Sequence, residues 1–192
     1  MSEARDRWLD EGLRVLAEDG PGGLRIDRIA ARLGLSKGSF HHHFNGAEGY
    51  KRDLLEHFER LSIDLLDRAI TEADQAGDAR AILGRLTELI EPRSTGLYRP
   101  ELDVAVRAWS ISDPAVRSVQ ARIDQTRLAA LQRVWRPHVR TDAEARAAAM
   151  LPYLLAVGAT VVTPPVGPEE LRRLFELLLP LIPERLSPPV QP

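Results

Sequence analysis

The sequence predicts an all-α fold, with a three-helix N-terminal head followed by a larger helical body. Apolar residues recur at helical spacing through nearly every segment, and no segment shows the alternation that is typical of a half-buried strand. Helix start and stop signals divide the chain into successive elements. The 192 residues include 44% apolar and 28% charged residues and no cysteine, which is the composition of a globular chain with a packed core rather than a disulfide scaffold.

The head is predicted to contain three helices. The first covers residues 4–18. The second covers residues 27–33 and ends at Gly34, because glycine readily adopts the left-handed conformation that closes a helix. Ser36 is placed to cap the third helix, which runs to His43, since its hydroxyl can accept a backbone N–H that has no partner inside the helix.

The body is predicted to contain six further helices. Asp113 and Pro114 place a capping side chain before a proline at the first helical position. Thr141, with Glu144 three residues later, forms a capping box. The six helices are predicted over residues 47–75, 79–90, 101–110, 114–135, 143–160 and 168–179.

The length of the fourth helix suggests how the domains are organised. At 1.5 Å per residue it would be about 40 Å long, which is enough to connect two domains. The C-terminal sequence SPPVQP is expected to fray. We therefore predict a head over residues 1–46, a body over residues 47–186 and a frayed tail over residues 187–192.

Charge and apolar patterning limit the partners of the chain. The net charge is −2, so any nucleic-acid surface must be local. Residues 24–52 contain six Lys or Arg and two Asp or Glu, which gives this segment a charge of +4 and leaves −6 for the rest. The charged N-terminus has no signal-peptide core. The longest apolar run, residues 147–162, is interrupted by Pro152 and is shorter than the ~20 residues of a spanning helix. We expect a cytoplasmic protein without a membrane partner.

Three consecutive histidines stand in the segment LGLSKGSFHHHF, residues 33–44. On a helix their side chains point about 100° apart, so they cannot converge on one metal ion. Phe40 and Phe44 are four residues apart and define the inward face of the helix. His43 is expected to pack between them. We predict no metal site here.

The outward face of the same helix is small and rich in hydrogen-bond donors. It carries Lys37 and His41 in one column, Gly38 and His42 in the next, and Ser39 on the flank. Such a surface suits the major groove of DNA, whose base edges offer acceptors to donors on a helix. An ordinary solvated helical face remains the alternative at this point.

The segments GLRIDRIAARLGLSKGSFHHHF and NGAEGYKRDLLEHF resemble the helix-turn-helix of the TetR family, the tetracycline-repressor-like bacterial transcription regulators. The resemblance implies a homodimer that binds a palindromic operator in double-stranded DNA, and a repressor that a small-molecule effector releases. Together with the outward face, it predicts that the DNA-contacting residues are Arg25, Ser36, Lys37, Gly38, Ser39, His41, His42 and Lys51.

Three positions depart from the pattern of the family. Arg25 stands where a phosphate-binding threonine is usual, and His41 replaces the usual tyrosine. Ala47 replaces a lysine that opens the fourth helix, although Lys51 and Arg52 lie about one turn further on. The loss at Ala47 supports an alternative function, in which the chain is an adaptor or sensor of the same fold with weak or lost DNA binding.

The last two predicted helices carry more apolar surface than one core needs. In the family, the corresponding helices form the dimer interface, which we prefer here to the alternative of a larger internal core because two-fold dimers are the commonest oligomers. The predicted interface residues are Leu155, Leu171, Leu174, Phe175 and Leu178.

The family also implies a small-molecule cavity in the body. Aromatic residues with polar atoms are its candidates, and Arg107 and His138 could orient an anion. The alternative for each of them is ordinary core packing or a surface position. No cofactor is predicted, and no catalytic arrangement of side chains stands out, so we do not expect an enzyme. The candidate effector-pocket residues are Tyr98, Trp109, Trp135 and Tyr153.

Overall fold

The computed structural model describes residues 3–74 and 99–178, and all regular elements in these ranges are helical. The prediction of an all-α fold is confirmed. Short 3-10 turns follow α1 and α6, at Pro21–Gly23 and Arg136–His138. The helices are α1 (Glu3–Asp19), α2 (Ile26–Leu33), α3 (Lys37–His43), α4 (Gly46–Asp74), α5 (Pro100–Ser112), α6 (Pro114–Trp135), α7 (Asp142–Val161) and α8 (Pro168–Leu178).

The predicted helix bounds agree with these elements to within about two residues where both can be compared. The predicted helix over 79–90 and the predicted tail over 187–192 lie outside the described residues. So does Tyr98, one of the candidate effector-pocket residues.

The chain divides into two compact units. One comprises Met1–Ser62 with Ser94–Ile123, and the other Ile63–Arg93 with Asp124–Pro192. This division differs from the predicted boundary at residue 46, because α5 and the first turns of α6 supply buried side chains to the same core as the head. The predicted boundaries of the functional domains stay a prediction.

The core of the first unit is built around aromatic rings. Trp8 on α1 and Phe40 on α3 are fully buried, with ring centroids 5.4 Å apart. Phe40 also contacts Phe44 at 5.1 Å, and Phe44 contacts Tyr50 on α4 at 4.9 Å. The Tyr50 hydroxyl donates a hydrogen bond to the backbone carbonyl of Trp8 at 2.7 Å. This cluster holds the short helix α3 against α1 and α4.

The second unit has a separate apolar core. Leu131 and Trp135 from α6 pack with Ala145 and Ala149 from α7 and with Leu171 from α8. The first turn of α7 is closed by the predicted capping box, in which each partner's side chain accepts a backbone N–H from the other. Local capping and apolar spacing are therefore sufficient to predict where these helices begin and end along the chain.

Candidate nucleic-acid interface

The turn between α2 and α3 has the geometry that its glycine and serine predict. Gly34 ends α2 with a φ of 66°, in the left-handed region that favours glycine. The backbone N–H of Leu35 then donates to the Ala30 carbonyl at 2.9 Å, which closes the last turn of α2. The Ser36 hydroxyl accepts the backbone N–H of Ser39 at 3.3 Å. The predicted cap of α3 by Ser36 is confirmed, and this turn sets the start of α3.

The two faces of α3 divide as its sequence predicts. Phe40 is fully buried, whereas Lys37, His41 and His42 are exposed. The position of His43 differs in part from the prediction, since it is only half-buried and its ring contact is with Phe44, at a centroid distance of 6.2 Å. Among the three histidines, it is His41 whose ring lies edge-on against Phe40, at a centroid distance of 5.4 Å.

The positive charge of α2 is largely compensated. Arg28 lies 2.8 Å from Asp19, and Arg25 lies 3.1 Å from Asp27. Arg32 contacts Glu11 at 2.5 Å and also pairs with a second acidic side chain of α1. Residues 1–46 as a whole contain seven Lys or Arg and seven Asp or Glu. The +4 count over residues 24–52 therefore overstates the charge of the head, because it omits the acidic residues of α1.

Lys37 is the exposed cation on the outward face of α3. Within residues 3–74 and 99–178 it makes no ion pair. Gly38 is exposed beside it and Ser39 is half-buried. The face thus presents one free ammonium group and two imidazole rings to solvent, which are hydrogen-bond donors of the kind that acceptors on DNA attract.

Lys51 lies in a different environment from that expected of a phosphate ligand. Its ammonium group forms an ion pair with the carboxylate of Asp113 and stands 5.4 Å from the centroid of the Trp109 ring. The other carboxylate oxygen of Asp113 accepts the backbone N–H groups of Ala115 and Val116 at 3.0 and 3.2 Å, which caps α6. The Lys51 contact is the main reason that the pKa of Asp113 lies below its ordinary value.

Sequence reasoning missed this ion pair, because its partners are 62 residues apart. Only the capping role of Asp113 is visible in the local sequence. Ala47, where the family has a lysine, is exposed at the start of α4. Arg52 is also exposed, and its nearest ion-pair contact is a long one, 3.6 Å to Asp53.

The candidate effector-pocket residues are distributed between the two units. Trp109 belongs to the first unit, where it packs against the core and lies beside Lys51. Trp135 and Tyr153 belong to the second unit, and the Tyr153 hydroxyl donates to Asp124 at 2.6 Å. Trp109 therefore does not belong to the same unit as Trp135 and Tyr153.

The two residues proposed above to orient an anion are also engaged. Arg107 contacts Asp103 at 3.0 Å, and His138 is buried in the turn after α6. Neither of them presents a free donor on the surface of its unit.

The predicted dimer residues, which stay a prediction, differ in how much surface they leave for a partner. Leu171 and Phe175 are 1% and 3% exposed, and both pack in the core of their own unit. Side chains that are already buried have no further surface to lose in a dimer. Leu155, Leu174 and Leu178 are half-buried at the edge of the same core.

The large apolar side chains that are exposed on these helices are different ones. Leu151 and Leu154 on α7 are 51% and 57% exposed, and Val161 at its end is 59% exposed. Leu177 on α8 is 70% exposed. The spacing of three and seven residues places the three α7 side chains on one face of the helix.

Within residues 3–74 and 99–178, none of the helices combines the length and apolar character needed to cross a bilayer. Among the same residues, no cluster of three or more His, Asp or Glu side chains has the arrangement of a metal site.

The comparison with protein families matches residues 9–57 to the bacterial regulatory proteins of the tetR family. The match covers α1 from Leu9 onwards, the whole helix-turn-helix and the first turns of α4. The helix-turn-helix head is therefore similar to the corresponding part of that family. No curated protein matches the sequence.

Solved structures extend the similarity to the body of the chain. A protein from Saccharomonospora viridis described as a transcriptional regulator, solved in complex with choline, is 26% identical, with a TM-score of 0.73 over 96% of this chain and 100% of that one. A TetR-family transcriptional regulator from Streptomyces coelicolor is 24% identical, with a TM-score of 0.73 over 94% and 90%. Reduced NemR from E. coli is 18% identical, with a TM-score of 0.74 over 97% and 100%. The chain has the fold of a TetR-family transcriptional regulator.

Proposed function

We propose that this protein is a transcription regulator that binds duplex DNA through α3, as a homodimer on a palindromic operator. The observation that carries the proposal is the outward face of α3, where Lys37, His41 and His42 are exposed in a TetR-type head. Arg25 is 70% exposed and its partner Asp27 is 46% exposed, so their ion pair can exchange for a phosphate at small cost. Ser36, Gly38 and Ser39 hold α3 in place and let its backbone approach the duplex.

The experiment measures the binding of Lys37→Ala to an operator selected from a random duplex library by the wild-type protein. The affinity should fall, and the slope of log affinity against log salt should become shallower by about one unit for each subunit on the DNA. Arg133→Ala is a matched control, because it removes one exposed cation from the second unit. An equal effect of the two substitutions, or none from Lys37→Ala, would contradict the proposal.

We place the dimer contact on the exposed face of α7, with Leu177 of α8 beside it. Leu151, Leu154 and Val161 form an apolar stripe that is unusual on the surface of a monomer. Leu154→Glu should abolish the dimer in sedimentation velocity, because it would bury an unpaired charge. Leu171→Ala should lower stability and leave the folded fraction dimeric, since Leu171 packs inside its own unit. A folded Leu154→Glu variant that still sediments as a dimer would refute this interface.

We also propose that the regulator is a repressor that a small molecule releases from DNA. Support comes from the second unit, where Trp135 and Tyr153 pack on an apolar core and Tyr153 binds the carboxylate of Asp124. The Saccharomonospora viridis relative was solved with choline, so choline is the first compound to test. A compound that raises the melting temperature should lower DNA affinity, and Tyr153→Phe should weaken both effects. Stabilisation without any change in DNA affinity would contradict release.

An adaptor without DNA binding is the second candidate. The observation that favours it is the pairing of the arginines of α2 with acidic residues, together with the engaged Lys51 and the neutral Ala47. A wild-type dimer that selects no duplex even at ~50 mM salt, where phosphate contacts are strongest, would favour the adaptor over the regulator.

A further inference from the structure

The ion pair between Lys51 and Asp113 is formed by two side chains that further contacts hold in place. The side chains are 23% and 20% exposed. One oxygen of Asp113 is fixed by the first two free N–H groups of α6, and Trp109 lies beside the ammonium group. Asp113 thus presents a pre-positioned anionic oxygen to Lys51, as a phosphate group would.

Lys51 also lies within reach of the surface that faces DNA in the proposed complex. Only Phe44 and Asn45 separate the end of α3 from the start of α4, so the first turn of α4 is close to the exposed face of α3. Lys51 is four residues after Ala47 and therefore on the same side of α4. Long side chains on a helix point back towards its N-terminus, and one turn is 5.4 Å, so a lysine can span this distance.

The N-terminal turn of α4 offers no cation of its own to a phosphate. Ala47 is neutral and exposed, and Glu48 is acidic. A DNA phosphate at this turn would meet the partial positive charge of the helix end, but it would find an ammonium group only if Lys51 left Asp113.

We propose that Asp113 is an internal competitor of DNA, which holds Lys51 away from a phosphate and thereby lowers the DNA affinity of the regulator. The inference rests on the proposed DNA binding through α3. In the wild type Lys51 pairs with Asp113, and its ammonium group binds a phosphate oxygen only when this carboxylate is removed. The two backbone contacts of residue 113 on α6 do not require a charged side chain, so α6 stays capped in either case.

The test is Asp113→Asn, because asparagine caps a helix as well as aspartate does but does not hold an ammonium group. DNA affinity should rise about five- to tenfold for each bound subunit at ~0.1 M salt, and the salt slope should steepen by about one unit for each subunit. Asp113→Ser, which also retains a cap, gives the same test with a second side chain.

Glu59→Gln is the matched control. Glu59 on α4 holds Arg122 on α6 through two contacts of 2.8 and 2.6 Å, so the substitution breaks another ion pair between the same two helices and changes the net charge equally. It should leave the salt slope unchanged. An equal gain in Glu59→Gln would overturn the proposal, because net charge alone would then account for the effect.

The combination with Lys51→Gln separates the remaining explanations. If Lys51 carries the effect, Asp113→Asn should change nothing further in the Lys51→Gln background. If DNA affinity still rises on Asp113→Asn in the Lys51→Gln background, Asp113 itself repels DNA. If Asp113→Asn alone lowers DNA affinity, the ion pair only positions α4. Either result overturns the inference while leaving DNA binding intact. If neither the wild type nor Asp113→Asn selects a duplex, the proposed DNA binding fails as well.

Discussion

Gly12 stands where α1 passes the side chain of Tyr50, and alanine at this position should destabilise the first unit. A Cβ atom at residue 12 would lie 2.0 Å from the Tyr50 hydroxyl oxygen and 3.0 Å from a methyl carbon of Leu54. The Tyr50 ring cannot move aside freely, because it is buried against Phe40 and Phe44 and its hydroxyl donates to a carbonyl of α1. Burial is also the main cause of the raised pKa of Tyr50.

The magnitude follows from three opposing effects. Replacing glycine by alanine inside a helix gains ~1 kcal/mol from helix propensity. Displacing the Tyr50 hydroxyl loses a buried hydrogen bond worth ~1 kcal/mol, and overpacking a close-packed core costs ~1–3 kcal/mol. The net destabilisation of Gly12→Ala should therefore be ~2 kcal/mol, which lowers the melting temperature of a chain of this size by ~4–8 °C.

The assay is thermal unfolding by circular dichroism of Gly12→Ala, Tyr50→Phe and the double variant. Tyr50→Phe alone should cost ~1 kcal/mol through the lost hydrogen bond. The double variant should be more stable than the sum of the single effects predicts, because the clashing oxygen is absent. Gly38→Ala is the control at an exposed position of α3, where the new Cβ atom would lie 3.5 Å from its nearest neighbour, the Ser36 hydroxyl oxygen. Additive effects, or a Gly12→Ala variant as stable as the wild type, would refute the reasoning.

Three further outcomes are expected. Replacing His41 and His42 by alanine should weaken DNA binding in an affinity titration, because it removes two hydrogen-bond donors from the exposed face of α3. The pKa of Glu144 is held below its ordinary value by hydrogen bonds from the backbone N–H of the capping residue and of the residue before it. Its stabilising contribution is therefore present above the unfolded pKa and is lost as the pH falls through the folded one, so Glu144→Gln should flatten the melting-temperature profile below about pH 4.5. Leu171→Ala should cost ~2–5 kcal/mol in urea unfolding, whereas Leu177→Ala should change the stability of its own subunit by less than ~0.5 kcal/mol.

Features that depend on neighbouring residues could be predicted from the sequence. Gly34, Ser36 and Thr141 end or begin helices as expected, because a cap needs only the geometry of four or five consecutive residues. The two faces of α3 follow from the same local rule, since Phe40 and the buried residues of the turn leave only one side for its polar residues. The existence and order of the helices therefore needed no tertiary information.

Features that depend on distant partners could not be predicted in this way. The pairs of Lys51 with Asp113 and of Arg32 with Glu11 join helices that only the fold brings together. The charge of the head was overstated for this reason, because a count along the sequence cannot tell which acidic side chains meet which arginines. The same limit applies to the surface that is available for a dimer. On α8 the apolar residues include both core and surface positions, and helical spacing alone does not separate Leu171 from Leu177.

The ion pairs also rank the cations by their availability to DNA. Within the described residues, Lys37 has no acidic partner that it would have to give up. Arg25 would leave the carboxylate of Asp27, which is exposed and can be solvated by water. Arg32 would leave Glu11, which is 7% exposed and would keep only Arg14 as its partner, so releasing Arg32 should cost more than releasing Arg25. Lys51 lies between these extremes, since Asp113 keeps two backbone hydrogen bonds when the lysine departs.

This ranking has a consequence for the salt dependence of the wild-type dimer. If only Lys37 and Arg25 reach phosphates in each subunit, four cations displace counterions, and the slope of log affinity against log salt should be about −3.6. The Asp113→Asn dimer adds one lysine in each subunit and should approach about −5.4. A wild-type slope near −10 would instead require the arginines that α1 neutralises, so the ion pairs of α2 would have to open on DNA.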